Sequence, residues 1–393
     1  MKTDFASGRL RARRDALAEL RVATIGGANI EHGYTLPREF EADAKYSVPP
    51  QPRQAGGSGV NHACRLLALG VGVHPVLPLA KADPLSSVIV GALEAASNTG
   101  GARVQTQDLF VRGSGLVTPY TTIIRQGASR AVLNEFSPDL MSAFPAHVER
   151  HLKRLGRPGG RPDVVLVGHV HADRKRKSRN EIGFAGEITE RVLTAPELRG
   201  IPKVVNFGSA QFKLGTKRWA RVLRENVDVF QLDIGEVRRF CRDADLPDGS
   251  LASILGWFRE RCTVVVSLER FGAIGQLAGS DRPVAAWPYL IENVADSTGA
   301  GDAMGAGLVA SLALDGFRLD GDDGPESPFA MALAAGRACA AYACTTIGGA
   351  ANCPDLDRLV AFERKGRLPD RGRGIQTGLS EQELFLIDRA FDA

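Results

Sequence analysis

Val294-Ala-Asp296-Ser297-Thr298-Gly299-Ala300-Gly301-Asp302-Ala303-Met304-Gly305-Ala306-Gly307-Leu308 is the stretch of this chain best suited to chemistry. It reads as an extended segment, a glycine-rich turn and then a small-residue helix running to Leu314. Glycines let the backbone curl until successive N–H groups converge, and a helix start leaves further N–H groups unpaired. With the helix dipole, such a turn is a candidate anion site, and Asp302 stands at its rim. A carboxylate there can take the proton of an attacking hydroxyl while the amides hold the charge of a transferring phosphoryl group. The plainer alternative is an aspartate that caps the helix, with glycines that only make the turn. The six-residue string from Ser297 to Asp302, joined to a second glycine-rich helix start at Gly56-Gly57-Ser58-Gly59, favours the chemical reading.

Other phosphate motifs are excluded. Gly208-Ser-Ala-Gln-Phe-Lys-Leu-Gly215-Thr216-Lys217 only approximates a Walker A loop. Neither Gly26-Gly27-Ala28-Asn29 nor Gly57-Ser58-Gly59-Val60 completes the dinucleotide fingerprint.

The elements that must position these residues alternate along the chain. Strands are expected at Arg21–Ile25, Val73–Leu79, Val164–Val167, Lys203–Phe207, Val227–Leu232 and Cys262–Leu268. Helices are expected to open at Gly56-Gly57-Ser58-Gly59 and to span 84–98, 180–194, 216–226, 234–242 and 250–260. Buried strands alternating with helices indicate an α/β domain with a mostly parallel sheet. Residues 109–136 break the alternation and read as a hairpin around Gly127-Ala128. With 31–54 they are expected to form a small β-rich flap. Residues 1–20 read as a basic helical lead-in at the surface. The run Arg174-Lys-Arg-Lys177-Ser-Arg179 reads as a solvated loop ahead of a helix, and Ser380-Glu-Gln-Glu383 as a capping box opening a docked terminal helix.

Composition bounds the rest. The chain has 393 residues with a formal charge of +4, so no general affinity for nucleic acid or membranes follows. Six cysteines without C-x-x-C pairs or metal-ligand spacing read as buried free thiols of a reducing compartment. No run has the ~18 apolar residues of a membrane span, and the N-terminus is charged, so a cytoplasmic protein is expected.

Asp296-Ser297-Thr298-Gly299-Ala300-Gly301-Asp302 resembles the D-T-x-G-A-G-D signature of the ribokinase-like carbohydrate kinases (the PfkB family), with Ser297 in place of the usual threonine. Gly56-Gly57-Ser58-Gly59-Val60-Asn61 matches the family's G-G-x-x-x-N loop, and Gly26-Gly27-Ala28-Asn29-Ile30-Glu31 resembles its G-x-x-N-x-D, with glutamate for aspartate. The resemblance runs from about 21 to 364 and leaves 365–393 as a tail. It implies a three-layer ribokinase-like fold with a small β lid from 31–54 and 109–136. It also implies Asp302 as general base and an anion hole from the turn Gly299, Ala300 and Gly301, with the amides of Ala300, Gly301 and Asp302 as donors. Asn29, Glu31, Gly57, Ser58 and Asn61 would bind acceptor hydroxyls.

On the nucleotide side the resemblance departs from the family pattern. N-x-x-E appears as Asp233-Ile-Gly-Glu236, and T-x-G-x-x-G as Ser267-Leu-Glu269-Arg270-Phe-Gly272, with Glu269 replacing a glycine. D-P-N is reduced to Asn206-Phe-Gly208, and G-x-D-x-x-G reads Lys81-Ala-Asp83-Pro-Leu-Ser86. Asn206, Asp233, Ser267, Glu269, Gly272 and Thr298 are thereby the nucleotide-binding candidates. Asp233 and Glu236 either hold Mg²⁺ or serve only as helix-start acids. His169 and His171, two residues apart after a strand, fit an acceptor contact, core histidines or, least well, a metal.

The implied activity is ATP- and Mg²⁺-dependent phosphorylation of an alcohol group on a sugar or sugar-like molecule. A monovalent cation is a further candidate cofactor, and a homodimer a candidate assembly. A nucleoside kinase on the same scaffold and a non-catalytic nucleotide or sugar sensor remain as alternatives.

Overall fold

The computed structural model describes the backbone of residues 6–41, 43–126, 129–170, 174–178, 181–184, 186–206, 208, 211–242, 249–319, 324–366 and 374–392, with the side chains of 129–130, 174–178, 181–184, 213 and 392 excepted. Short runs of Val, Ile and Leu become the strands of a nine-stranded sheet. Its spatial order is Ile375–Thr377, Val284–Ala286, Ala273–Gln276, Thr263–Ser267, Val229–Asp233, Lys203–Asn206, Val164–Val167, Arg21–Ile25, Gly72–Val76. The six from Gly72–Val76 to Thr263–Ser267 are parallel, and the last three add antiparallel at one edge.

Alternate strand residues feed two cores, which is why these strands read as continuous apolar runs. Val22, Val164, Leu166, Val204, Val229 and Val265 face one side, with helices Ser58–Ala68, Ser86–Gly100, Ala300–Leu314 and Pro328–Ala343. Ala23, Ile25, Val165, Val167, Val205 and Val264 face the other, with Pro138–Leu155, Thr216–Asn226, Ile234–Arg242 and Leu251–Arg259. The result is a three-layer α/β fold with a mostly parallel sheet.

A separate four-stranded sheet, ordered Gln54–Gly56, Asn29–Thr35, Tyr120–Gln126, Ser129–Glu135, forms the flap. The expected flap exists, but its segment 31–54 is strand only at the ends, and 36–53 has no strand among the described residues. The hairpin pairs Tyr120 with Glu135 through Gln126 with Ser129, and its tip at 127–128 lies outside the described residues.

Two expectations are corrected. The helix expected over 180–194 is confined to Glu187–Leu193, because Glu181–Phe184 pairs antiparallel with Arg174–Ser178. The basic run is therefore strand, not loop: backbone pairing overrides its charge. The described part of the lead-in forms helices Ala6–Ala12 and Arg14–Glu19, with its arginines largely exposed and its apolar side docked. Leu10 and Leu17 are buried, and Arg9 and Arg13 both reach Asp315, at 2.8 and 2.9 Å. The C-terminal capping box forms as expected, with Glu383 Oε2 accepting from Ser380 N at 2.8 Å and Glu383 N donating back to Ser380 Oγ at 3.3 Å. All six cysteines are free thiols. No helix among the described residues is long and apolar enough to cross a membrane.

Candidate active site

The signature turn opens the helix Ala300–Leu314, with Gly299 as its cap at φ +76°. A Cβ at Gly299 would lie 2.7 Å from Gly349 Cα, so neither the backbone angle nor the space admits a side chain. The helix is apolar on all sides because it is packed on all sides. Gly307 and Gly336 let it meet Pro328–Ala343 at van der Waals distance: Cβ atoms there would stand 2.8 Å from the carbonyl oxygens of Ala335 and Met304. This seats the turn on a rigid support.

Of the three amides expected to form the anion hole, Ala300 N–H is committed to Ser297 O at 3.2 Å. The N–H groups of Gly301 and Asp302 lie in the first helical turn, where no intrahelical acceptor exists, and they have none elsewhere among the described residues. Two open amides thus replace the expected three. Asn206, at the end of its strand, places Nδ2 3.8 Å from where a Gly301 Cβ would be, so it borders the turn. Buried Gln231 donates from Nε2 to Gly301 O at 2.8 Å and holds the turn from beneath.

Asp302 lies against the second motif, where Asn61, expected to bind acceptor hydroxyls, reaches the carboxylate itself. Asn61 Nδ2 donates to Asp302 Oδ2 at 2.7 Å, and His62 Nε2 stands 3.4 Å from Oδ1. The Asp302 side chain keeps 14% exposure. Gly57, at φ +90°, caps the helix Ser58–Ala68. Asn29 packs its Oδ1 against Gly57 and donates from Nδ2 to Thr121 Oγ1 at 2.8 Å. Ser58 does not present its proton to the cleft, because its hydroxyl donates to His169 O at 3.2 Å.

Glu31 enters from the flap, and its carboxyl is pushed up to about 7. Burial is the main cause, and the charges of Asp296 and Asp302 add to it, against a hydrogen bond from Asn29 and the charge of Arg125. Asp296, the first acid of the signature, accepts from Thr298 N at 2.9 Å and Gly348 N at 3.3 Å, and Arg125 of the flap approaches it to 3.5 Å. Burial pulls this carboxyl upward, but those donors and the Arg125 charge more than offset it and hold it below the usual range. Sequence reasoning did not single out Arg125, His62 or Gln231. Only the position of His62, directly after Asn61 in the second motif, offered a signal.

The donor-side residues gather along the neighbouring strand ends. Ser267 ends its strand, and Glu269 follows at φ +49°, a conformation that glycine adopts without cost. Gly272, at φ +94°, could not carry a Cβ, which would meet Ala286 O at 2.2 Å. Asp233 and Glu236 cap their helix reciprocally: Glu236 N donates to Asp233 Oδ1 at 2.7 Å, and Asp233 N to Glu236 Oε2 at 3.4 Å. Burial, and then the neighbouring Asp233, raise the Glu236 carboxyl against the pull of His169. The His169 ring and Glu236 both border Gly208, while His169 O accepts from Ser58 Oγ and Gly27 N, so the residue touches both the acceptor and the donor candidates. His171 lies outside the described residues. Among the described residues no group of three or more His, Cys, Asp or Glu is arranged to hold a metal. With one oxygen of each carboxylate taken by the caps and no third ligand among the described residues, the pair would fit a hydrated Mg²⁺ better than direct enclosure.

The sequence of residues 213–356 matches the family description "pfkB family carbohydrate kinase". The PfkB resemblance stands. That span holds Asp233, Glu236, the Ser267–Gly272 loop and the whole signature. Solved structures share the fold over most of the chain. Ribokinase from Thermotoga maritima superposes with a TM-score of 0.64 at 15% identity, covering 88% of this chain and 100% of its own. Ribokinase from Arabidopsis thaliana, complexed with ribose and ATP, gives 0.62 at 16%, covering 88% and 98%. The nucleoside kinase of Burkholderia thailandensis in complex with inosine gives 0.61 at 15%, covering 88% and 96%. None of the curated proteins matches this sequence. The match over residues 213–356 is to a kinase family, and the neighbours show the ribokinase-like fold over most of the chain.

Proposed function

We propose that this PfkB-type kinase transfers the γ-phosphoryl group of ATP to an alcohol group of a sugar or sugar-like molecule, with Asp302 as general base. One observation carries the reading: Asp302 sits between two open amides and a polar acceptor wall, held by Asn61 at 2.7 Å. Asn29, Glu31 and Thr121 of the flap supply hydroxyl-binding groups on that wall, which suits a polyol. The acceptor hydroxyl would give its proton to Asp302 as its oxygen attacks, while the Gly301 and Asp302 amides meet the charge on the phosphoryl oxygens. Asp233 and Glu236 would hold Mg²⁺ through water, and the metal would neutralise phosphate charge when bound. Closure of the flap would keep water from competing as acceptor.

The test is ADP release with ATP across D-ribose, hexoses, adenosine and inosine. Asp302→Asn is expected to bind ATP and acceptor nearly normally and to lose turnover by about a hundredfold or more. Unchanged turnover removes Asp302 from the mechanism. Thermal stabilisation by ATP and a sugar with no ADP release would point instead to a sensor, and turnover restricted to adenosine or inosine to a nucleoside kinase.

A further inference from the structure

Beside Asn61, on the same helix, stands His62, a residue the mechanism above does not use. Its imidazole is 0% exposed, and Nε2 lies 3.4 Å from Asp302 Oδ1. Among the described residues neither ring nitrogen has a hydrogen-bond partner. Buried polar groups are normally satisfied, so a fully buried imidazole whose nearest charge is the reacting carboxylate calls for a physical account. The surroundings are shaped to admit the ring. A Cβ at Gly168 would stand 3.1 Å from its Cε1, and one at Gly305 would stand 3.3 Å from its Nε2. Gly305 belongs to the helix that carries Asp302, and Gly168 follows the strand Val164–Val167. Glycines on two other elements thus leave room for an imidazole directed at Asp302.

We propose that His62 is a positioning residue for Asp302: its neutral imidazole donates from Nε2 to Oδ1 while Asn61 donates to Oδ2. This rests on the reading of Asp302 as the base. Consecutive residues of one helix then grip both oxygens of one carboxylate and leave a lone pair facing the cleft for the incoming hydroxyl. Burial first, and then the neighbouring His169, hold the ionisation of His62 below that of an ordinary histidine, against the pull of Asp302. The ring is therefore neutral at working pH, and the carboxylate selects the tautomer with its proton on Nε2. The charged groups around the pair are His169 beyond the strand end, Glu31 and Arg125 on the flap, and Asp296 of the signature segment. None of these donates to Asp302 Oδ1 among the described residues. No bond breaks at His62, and its proton stays in place through the cycle.

The experiment follows kcat and KM from pH 5 to 9 with ATP and whichever acceptor in the panel turns over fastest. His62→Phe keeps a flat ring and removes the donor, whereas His62→Gln keeps an N–H. A hydrogen bond to the charged form of an acid favours that form. In His62→Phe, kcat is therefore expected to fall about tenfold with both KM values unchanged, and the acidic limb of the profile to move up by about one pH unit. His62→Gln is expected to return most of the rate and the original limb. Asp302→Asn is run in parallel, and if it keeps full turnover the reading of the base itself fails. If Asp302→Asn is inactive but a folded His62→Phe keeps the wild-type kcat and limb, the positioning role alone is overturned. Failure of His62→Gln to restore the limb also overturns it. Should His62→Phe not fold, His62→Ala with added free imidazole replaces it: recovery of kcat supports the role, and no recovery overturns it.

Discussion

Glu31 offers a test that needs no substrate. Its carboxyl is raised from 4.5 to about 7, chiefly by burial under the flap and also by the nearby charges of Asp296 and Asp302. The sign follows from proton counting. Below pH 4.5 the folded and unfolded chains both hold the proton, so Glu31 costs nothing. Between 4.5 and about 7 the unfolded chain releases it and the folded chain does not, so stability falls as pH rises. Above 7 the full cost is present. A shift of 2.5 units corresponds to about 3.4 kcal/mol, and residual solvent access at the cleft trims this to about 2–3 kcal/mol. Glu31→Gln keeps the shape of the side chain and removes the charge. The variant is expected to be more stable than the parent by about 2–3 kcal/mol at pH 8 and equal to it near pH 4.5, measured by urea unfolding at half-unit pH steps. Lost activity is the expected counterpart, since functional carboxylates are often held at a cost in stability. A difference that stays flat with pH, or a variant less stable at pH 8, refutes the reasoning.

Other outcomes follow from the same structure. His147 and His151 are buried, with ring centroids 4.4 Å apart, and His151 is bonded to His74 at 2.7 Å. Burial first, and then the other histidine charges, push His147 down to about 3 and His151 to about 4. Their contribution is complete above the unfolded value of 6.5 and is lost as pH falls below it, by about 2 kcal/mol for each ring at pH 5. Chemical unfolding at pH 7.5 and pH 5 checks this, with His147→Phe expected to be less acid-sensitive by that amount. Glu269 holds a left-handed backbone, so Glu269→Gly trades relief of roughly 1 kcal/mol of strain against a similar gain in unfolded-state freedom. The melting temperature should move little while the KM for ATP falls, and an unchanged or raised KM would show that Glu269 does not obstruct the nucleotide. Gly299→Ala is expected to cost ~2 kcal/mol or more, from positive φ and the 2.7 Å approach of Gly349, and to abolish ADP release. Near-normal melting and activity would show that the turn tolerates a side chain.

The parallel part of the sheet was legible because each of its strands is buried on both faces and reads as an apolar run between helices. Arg21–Ile25, Val164–Val167 and the helices Thr216–Asn226 and Ile234–Arg242 have the bounds their residues suggest. The antiparallel edge was not legible, because Ala273–Gln276, Val284–Ala286 and Ile375–Thr377 are only three or four residues long, and the last pairs with Val284–Ala286 across a long separation in sequence. Charge misled at Arg174–Ser178, where strand pairing is a backbone property, and it gave no sign that Asp315 supplies a distant partner for two N-terminal arginines. At the site, the signature motifs located Asp302 and Asn61. The approach of His62 to Asp302 joins residues 240 apart in sequence, and that of Arg125 to Asp296 joins residues 171 apart. Local pattern carries no record of either.

The four-stranded flap is hydrogen-bonded within itself and is not continuous with the nine-stranded sheet. Glu31 and Thr121 ride on it, whereas Asp302 and the amides beside it ride on a helix locked against another by facing glycines. Under the proposed function the labour would be divided: one module would choose the alcohol, and the other would keep the phosphate chemistry constant. Exchanging side chains along the flap would redirect the enzyme toward new acceptors without retuning the phosphate end, a route by which one scaffold can diversify.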